Sequence, residues 1–300
     1  MQVKPMAFAQ CLAIAAVALT VAGCDSEPAQ PQQWVYHCGA QPIMVTDMGS
    51  ESIDVLQDGT TFRLVATSAA SGTRYVSADQ QVEFWSKGHE ATFNQQGNAL
   101  PLCILDGHLP SEFTARGNEP SWQLSSTELS LQETRDTTPR QWLLHDAKGH
   151  AVELTARHCV DSMSGRYYPY QARYSRGDEQ LVGCAGDSQR LLAGSNWQLV
   201  GNFSDATRPL LQFGSDNSVT GFTGCNNFRG SYQLSPEIFA FDPLAITRKA
   251  CETEVMAAEH DFLRQLLEVE QFSFDADGRL QLHPRGAELL VLEKTSAPKA

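Results

Sequence analysis

Apolar and polar residues alternate with a period of two through much of this chain, and Gly-bearing turns interrupt the alternation at short intervals. Ile53 and Val55 alternate with Ser52 and Asp54, Asp58-Gly59 carries a tight-turn signal, and Phe62, Leu64 and Ala66 alternate beyond it. Successive strand side chains point to opposite faces, so this pattern predicts half-buried strands joined by hairpins. Val82 and Phe84 set against Ala91 and Phe93 across Lys87-Gly88 repeat it. So do Gln123 to Leu131 and Trp142 to Leu154, the latter broken by Lys148-Gly149. The expected fold class is mainly β: a small antiparallel barrel followed by further β-rich domains. One segment departs, from Glu252 to Val269. There Val255, Met256, Phe262, Leu263, Leu266 and Leu267 share one face of a 3.6-residue period, with Glu254, Asp261, Arg264 and Glu268 outward. A single amphipathic helix is expected, with Glu259 inside its apolar stripe.

The N-terminus bears on the compartment. Lys4 precedes an apolar run from Cys11 through Ala22 that ends Val21-Ala22-Gly23-Cys24. Residues 1–23 read as a signal peptide, too short to span a bilayer. A Cys directly after Gly23 resembles a bacterial lipobox, which implies cleavage before Cys24 and lipid attachment to its thiol. Several acyl chains give stable anchoring. Residues 24–33 are then the lipidated Cys and a polar, Pro- and Gln-rich tether reaching about 30 Å. The expected location is the bacterial cell envelope, lipid-anchored and facing the periplasm; both the inner and the outer membrane fit.

The formal net charge is −13, and removal of Lys4 with the signal deepens it by one. An acidic surface repels phosphate backbones and disfavours nucleic acid as a partner, while it steers a basic partner inward. Of 8 cysteines, Cys11 falls in the signal and Cys24 at the lipid. The six others permit fifteen pairings in an oxidising compartment. Zinc is the competing reading at His37/Cys38 and His158/Cys159, but the chain has no Cys-x-x-Cys, and adjacent strand residues face opposite ways. No metal or other cofactor is expected. The chain beyond the tether is too long for one small core and suits two or three domains.

Four features stand in order inside one cysteine span: Tyr36-x-Cys38, Ser71-Gly72-x-Arg74-Tyr75, Phe84-Trp85-x-Lys87-Gly88 and Cys103. This signature resembles that of the MliC/PliC inhibitors of c-type lysozyme, small β-barrels that plug the enzyme's active cleft. The resemblance covers residues 34–105 and implies an inhibitor barrel over 34–106 with c-type lysozyme as partner. It assigns cleft contacts to Ser71 and Lys87, with Arg74 and Tyr75 as loop support and rim. The segment from Val76 to Gln81 is about two residues longer than the family's, a kind of change that hairpin tips tolerate. Residues 111–190 resemble an uncharacterised β-rich domain of bacterial envelope lipoproteins. Residues 192–294 resemble a META domain, as in the HslJ lipoproteins, through Gly224-Cys225-Asn226-x-Phe228 and Thr247-Arg248-x-x-Cys251. With these three regions drawn, Cys38–Cys103, Cys159–Cys184 and Cys225–Cys251 each fall within one.

Other motifs weigh less. Asp275-Ala276-Asp277-Gly278 lacks the later ligands of a calcium loop and reads as a hairpin turn. Arg116, Asn118, Glu119, His158 and Asp161 are polar residues suited to buried or turn roles. No nucleophile-elbow, zincin or Walker segment occurs in the sequence, so no enzymatic activity is expected. The second reading of the chain is a non-inhibitory structural or stress-response envelope lipoprotein, its role set by the META region.

Overall fold

The first part of the chain forms nine strands, eight of which close into a barrel. They are β1 (Gln33–Cys38), β2 (Gln41–Gly49), β3 (Ser52–Gln57), β4 (Thr60–Thr67), β5 (Thr73–Val76), β6 (Val82–Lys87), β7 (Glu90–Gln95), β8 (Asn98–Ala99) and β9 (Cys103–Leu105). This is a computed structural model, and it describes residues 31–49 and 51–295. The signal segment, Cys24 and the tether as far as Gln30 lie outside the described residues. Gln33, assigned to the tether from sequence, instead pairs with Thr46 at the start of β1.

Strands β1 to β7 pair in sequence order, and β9 inserts between β1 and β7 to complete an eight-stranded antiparallel barrel, with β8 alongside β7. Alternation sets the inside. Ile43, Val45, Ile53, Val55, Leu64, Phe84 and Phe93 are buried in one cluster, and Tyr36 meets Phe84 edge-on at 5.4 Å between ring centres. Each such side chain contributes about 1.5–3 kcal/mol when fully withdrawn from water. The closing strand has only three residues, but Cys38 faces Cys103 in register and the two are disulfide-bonded. A cross-link over 65 residues stabilises by about 4 kcal/mol in the chain-entropy model. The β6–β7 register corrects one expected pairing: Phe84 faces Phe93, but Val82 faces Gln95 while Ala91 faces Ser86. The turn is Gly88-His89, so Lys87 is the last strand residue rather than a tip residue.

The middle region is an antiparallel seven-stranded sheet with its own buried cluster, including Trp122, Trp142, Leu144, Val152, Leu154 and Tyr174. A two-stranded ribbon, Cys159–Val160 with Tyr167–Tyr168, is fastened to it by the Cys159–Cys184 disulfide. The C-terminal region is a long antiparallel sheet packed by the helix Thr253–Leu267, the sole α-helix among the described residues. Of the apolar stripe only Phe262 and Leu266 are buried; Met256 and Leu267 are 40% and 46% exposed. Glu259 explains its place in the stripe: its carboxylate accepts hydrogen bonds from Thr223 Oγ1 and from Asn226 Nδ2 at 3.1 Å. Asn226 also donates to Lys249 O and accepts from Lys249 N, beside the Cys225–Cys251 disulfide. A carboxylate thus satisfies the polar loop that the helix covers. The three disulfides are the pairs expected from the sequence. Asp275 to Gly278 forms a hairpin turn, in which Asp275 Oδ1 accepts the amides of Asp277 and Arg279 at 2.9 Å each.

Candidate functional site: a loop and a hairpin at one end of the barrel

Antiparallel pairing sorts the barrel's connections onto two ends. The turns Gly39-Ala40, Asp58-Gly59, Ser77–Gln81 and Gln96-Gly97 lie at one end; the Ser68–Gly72 loop and the Gly88-His89 turn lie at the other. The C-terminal region docks on the first end. Ala40 N donates to Ala193 O at 3.0 Å, Ser215 Oγ donates to Ala99 O at 3.0 Å, and Arg190 donates to Leu102 O and His37 O. Gly39 is required there, since a Cβ would stand 2.4 Å from Ala193 O.

The second end keeps the signature residues at the surface. Ser68 to Thr73, Lys87 and Gly88 are all exposed. Thr73 pairs with Ser86, which brings the loop onto the end of β6. Gly72 has φ +67°, and a Cβ there would lie 2.1 Å from Ser86 O and 3.2 Å from the Lys87 Cβ, so the loop backbone rests directly on Ser86-Lys87. Trp85, 38% exposed, donates its indole N–H to Ser71 O at 2.8 Å. Trp85 has no role of its own in the sequence reading, although it stands inside the motif. The dipeptide Phe84-Trp85 carries the signal: the inward ring fills the core, and the outward ring is free to hold the loop.

Arg74 and Tyr75 sit one step behind this edge. Arg74 pairs with Glu83 on the neighbouring strand, its Nε at 3.0 Å from Oε2. Tyr75 is half-buried against the barrel core, and burial, then the charges of Asp47 and Glu51, push its hydroxyl pKa up. Lys87 forms no salt bridge among the described residues. The longer segment after Tyr75 is the Ser77–Gln81 turn, closed by Val82 N donating to Ser77 Oγ at 2.9 Å and Gln81 N to Asp79 Oδ1 at 3.1 Å. It lies at the end of the β5–β6 hairpin away from Lys87.

The polar residues of the middle region do not converge. Asn118 donates to Asp161 at 2.9 Å, and Asp161 also accepts from the backbone and hydroxyl of Ser164, a turn function. Arg116 lies over the Tyr168 ring at 5.3 Å, His158 packs on Phe274 at 4.8 Å, and Glu119 is exposed. Cys38 and Cys159, the thiols of the zinc alternative, are both in disulfides.

By fold and site this is a disulfide-linked, mainly β protein whose barrel presents an exposed loop braced on a hairpin, an arrangement suited to contacting another macromolecule. The comparisons narrow that class. Residues 36–101 match the family model described as membrane-bound lysozyme-inhibitor of c-type lysozyme (MliC), and residues 190–296 match that of the META domain. The chain therefore combines an MliC region with a META region. A solved NMR structure of a protein from Burkholderia xenovorans is 23% identical, covering 36% of this chain and 86% of that one with a TM-score of 0.32. None of the curated proteins matches.

Proposed function

We propose that this is a lipid-anchored protein of the bacterial envelope, facing the periplasm, whose barrel over residues 34–106 inhibits c-type lysozyme. The supporting observation is the seating of the Ser71-Gly72 loop on Ser86-Lys87 at the end of the barrel opposite the C-terminal region. A lysozyme cleft of the retaining type holds two carboxyl groups about 5 Å apart, one acid and one nucleophile. A hydroxyl donates to a carboxylate, and an ammonium pairs with an ionised one where water is scarce. Ser71 and Lys87 take those two roles. Trp85 holds the loop, and Arg74, neutralised by Glu83, braces the strand behind it. The acidic chain, with Asp47 and Glu51 behind the loop, favours encounter with a basic enzyme. On this reading the domains are the inhibitor barrel, a β-rich middle domain over 111–190 and the META domain over 192–294, and none is an enzyme.

The test is steady-state lysis of cell-wall substrate by c-type lysozyme with rising amounts of the oxidised soluble chain lacking residues 1–24. Competitive inhibition is expected. An unchanged rate in stoichiometric excess of folded protein refutes the reading.

A further inference from the structure

Where the barrel, the middle sheet and the C-terminal sheet meet they leave a cavity of about 600 Å3, within the size range of small-molecule sites. Its charge runs against that of the chain. The protein carries −13 overall, yet the wall of this cavity holds Arg140, Arg190 and Lys294 against a single carboxylate, Asp106. Arg140 is neutralised, at 3.0 Å from Asp106 and 2.6 Å from Asp136. The other two cations make no such ion pair. Arg190 donates to Leu102 O at 2.8 Å and to His37 O at 2.9 Å, Lys294 Nζ donates to Ala40 O, and neither makes a salt bridge among the described residues. These acceptors flank the Cys38–Cys103 disulfide, which gathers both cations at one corner of the cavity. Carbonyl dipoles satisfy the donors, carboxylates act on them only at longer range (Glu90 and Asp187 on Arg190, Asp58 on Lys294), and burial pushes both pKa values down.

Part of the remaining wall is aromatic. Trp197 lies 6.1 Å from Phe274, and Trp142 meets Tyr170 edge-on at 5.6 Å. A cation without an ion-pair partner is stabilised by an anion brought to it, and flat rings favour a flat apolar body. We propose that this junction cavity binds a small organic anion, its charged group held by Arg190 and Lys294 and its ring system against Phe274 and Tyr170. The lining includes neither Ser68–Gly72 nor Lys87, and an occupant would stabilise the packing of all three cores by mass action.

The experiment uses the soluble chain and two fluorescent probes, 1-anilinonaphthalene-8-sulfonate and N-phenyl-1-naphthylamine, the same rings without the sulfonate. Saturable sulfonate binding is expected, about tenfold tighter than the amine and weakened in 0.5 M salt, with energy transfer from tryptophan that falls in Trp197→Phe. Lys294→Gln should weaken the sulfonate about fivefold or more and leave the amine unchanged. Lys148→Gln, which makes the same charge change at an exposed turn, should alter neither. Arg190 also ties the barrel to its neighbours, so it is tested as Arg190→Lys, which keeps the charge and should retain sulfonate binding. Equal affinity for the two probes, or equal losses in Lys294→Gln and Lys148→Gln, overturns the proposal. If Lys294→Gln fails to fold, salt-insensitive sulfonate binding by the parent overturns it instead.

Discussion

Gly72→Ala tests whether the loop works because it is seated on the end of β6. The added methyl would stand 2.1 Å from Ser86 O, far inside contact distance, at a backbone φ of +67°. Ser86 cannot retreat easily, since it is paired with Thr73 on one side and Ala91 on the other within a closed barrel. The exposed loop must move, and with it Ser71, which Trp85 holds through the Ser71 carbonyl. An L-residue at this φ costs about 1–2 kcal/mol, and the forced displacement adds about 1–3 kcal/mol, so a stability loss of about 2–5 kcal/mol is expected. Gly59→Ala supplies the reference. Gly59 has φ +75°, no atom within 4 Å of its Cβ position, and a place at the opposite end of the barrel. It should show the conformational part alone, about 1 kcal/mol, with lysozyme inhibition intact. Urea unfolding and inhibition titrations on both variants decide. If Gly72→Ala costs no more than Gly59→Ala, or if it inhibits like the parent, the seating carries no functional weight.

Other expectations follow from single groups. Lys87→Ala should weaken lysozyme binding by about 2–5 kcal/mol, because truncation strands a buried carboxylate on the partner. Ser71→Ala should weaken it by about 1–3 kcal/mol, while the remote helix change Arg264→Ala leaves calorimetric affinity unaltered. Asp146 is drawn well below the ordinary carboxylate range: burial pushes it up, but hydrogen bonds from Tyr174, His150 and Lys148 outweigh that. Its stabilisation is therefore present above the unfolded pKa of about 4 and lost as pH falls. Asp146→Asn should flatten that acid limb in unfolding measured between pH 2 and 5. Cys24→Ala should release the protein from salt-washed membranes, since it deletes the lipid's attachment atom; unchanged membrane association counts against lipidation.

Local rules determined a good deal by themselves. Alternation around Ile53, Phe62 and Phe84, together with turn pairs such as Asp58-Gly59 and Lys148-Gly149, was enough to place strands and hairpins, because a strand's two faces and a turn's φ values are properties of neighbouring residues. The helix was legible for the same reason. Only tertiary structure decided which parts of those patterns meet. Glu259 breaks the helix's apolar stripe until the Thr223–Asn226 loop, more than thirty residues earlier, is set beneath it; Met256 and Leu267 complete the stripe yet face water. Barrel closure rests on a three-residue strand that pairs across 65 residues of sequence. The longer turn after Tyr75 is harmless to Lys87 because the two occupy opposite ends of one hairpin. The physical reason is common to all of these. Sequence periodicity reports which face of an element is apolar, whereas which surface covers that face depends on contacts between distant segments, and those exist only once the chain has closed on itself.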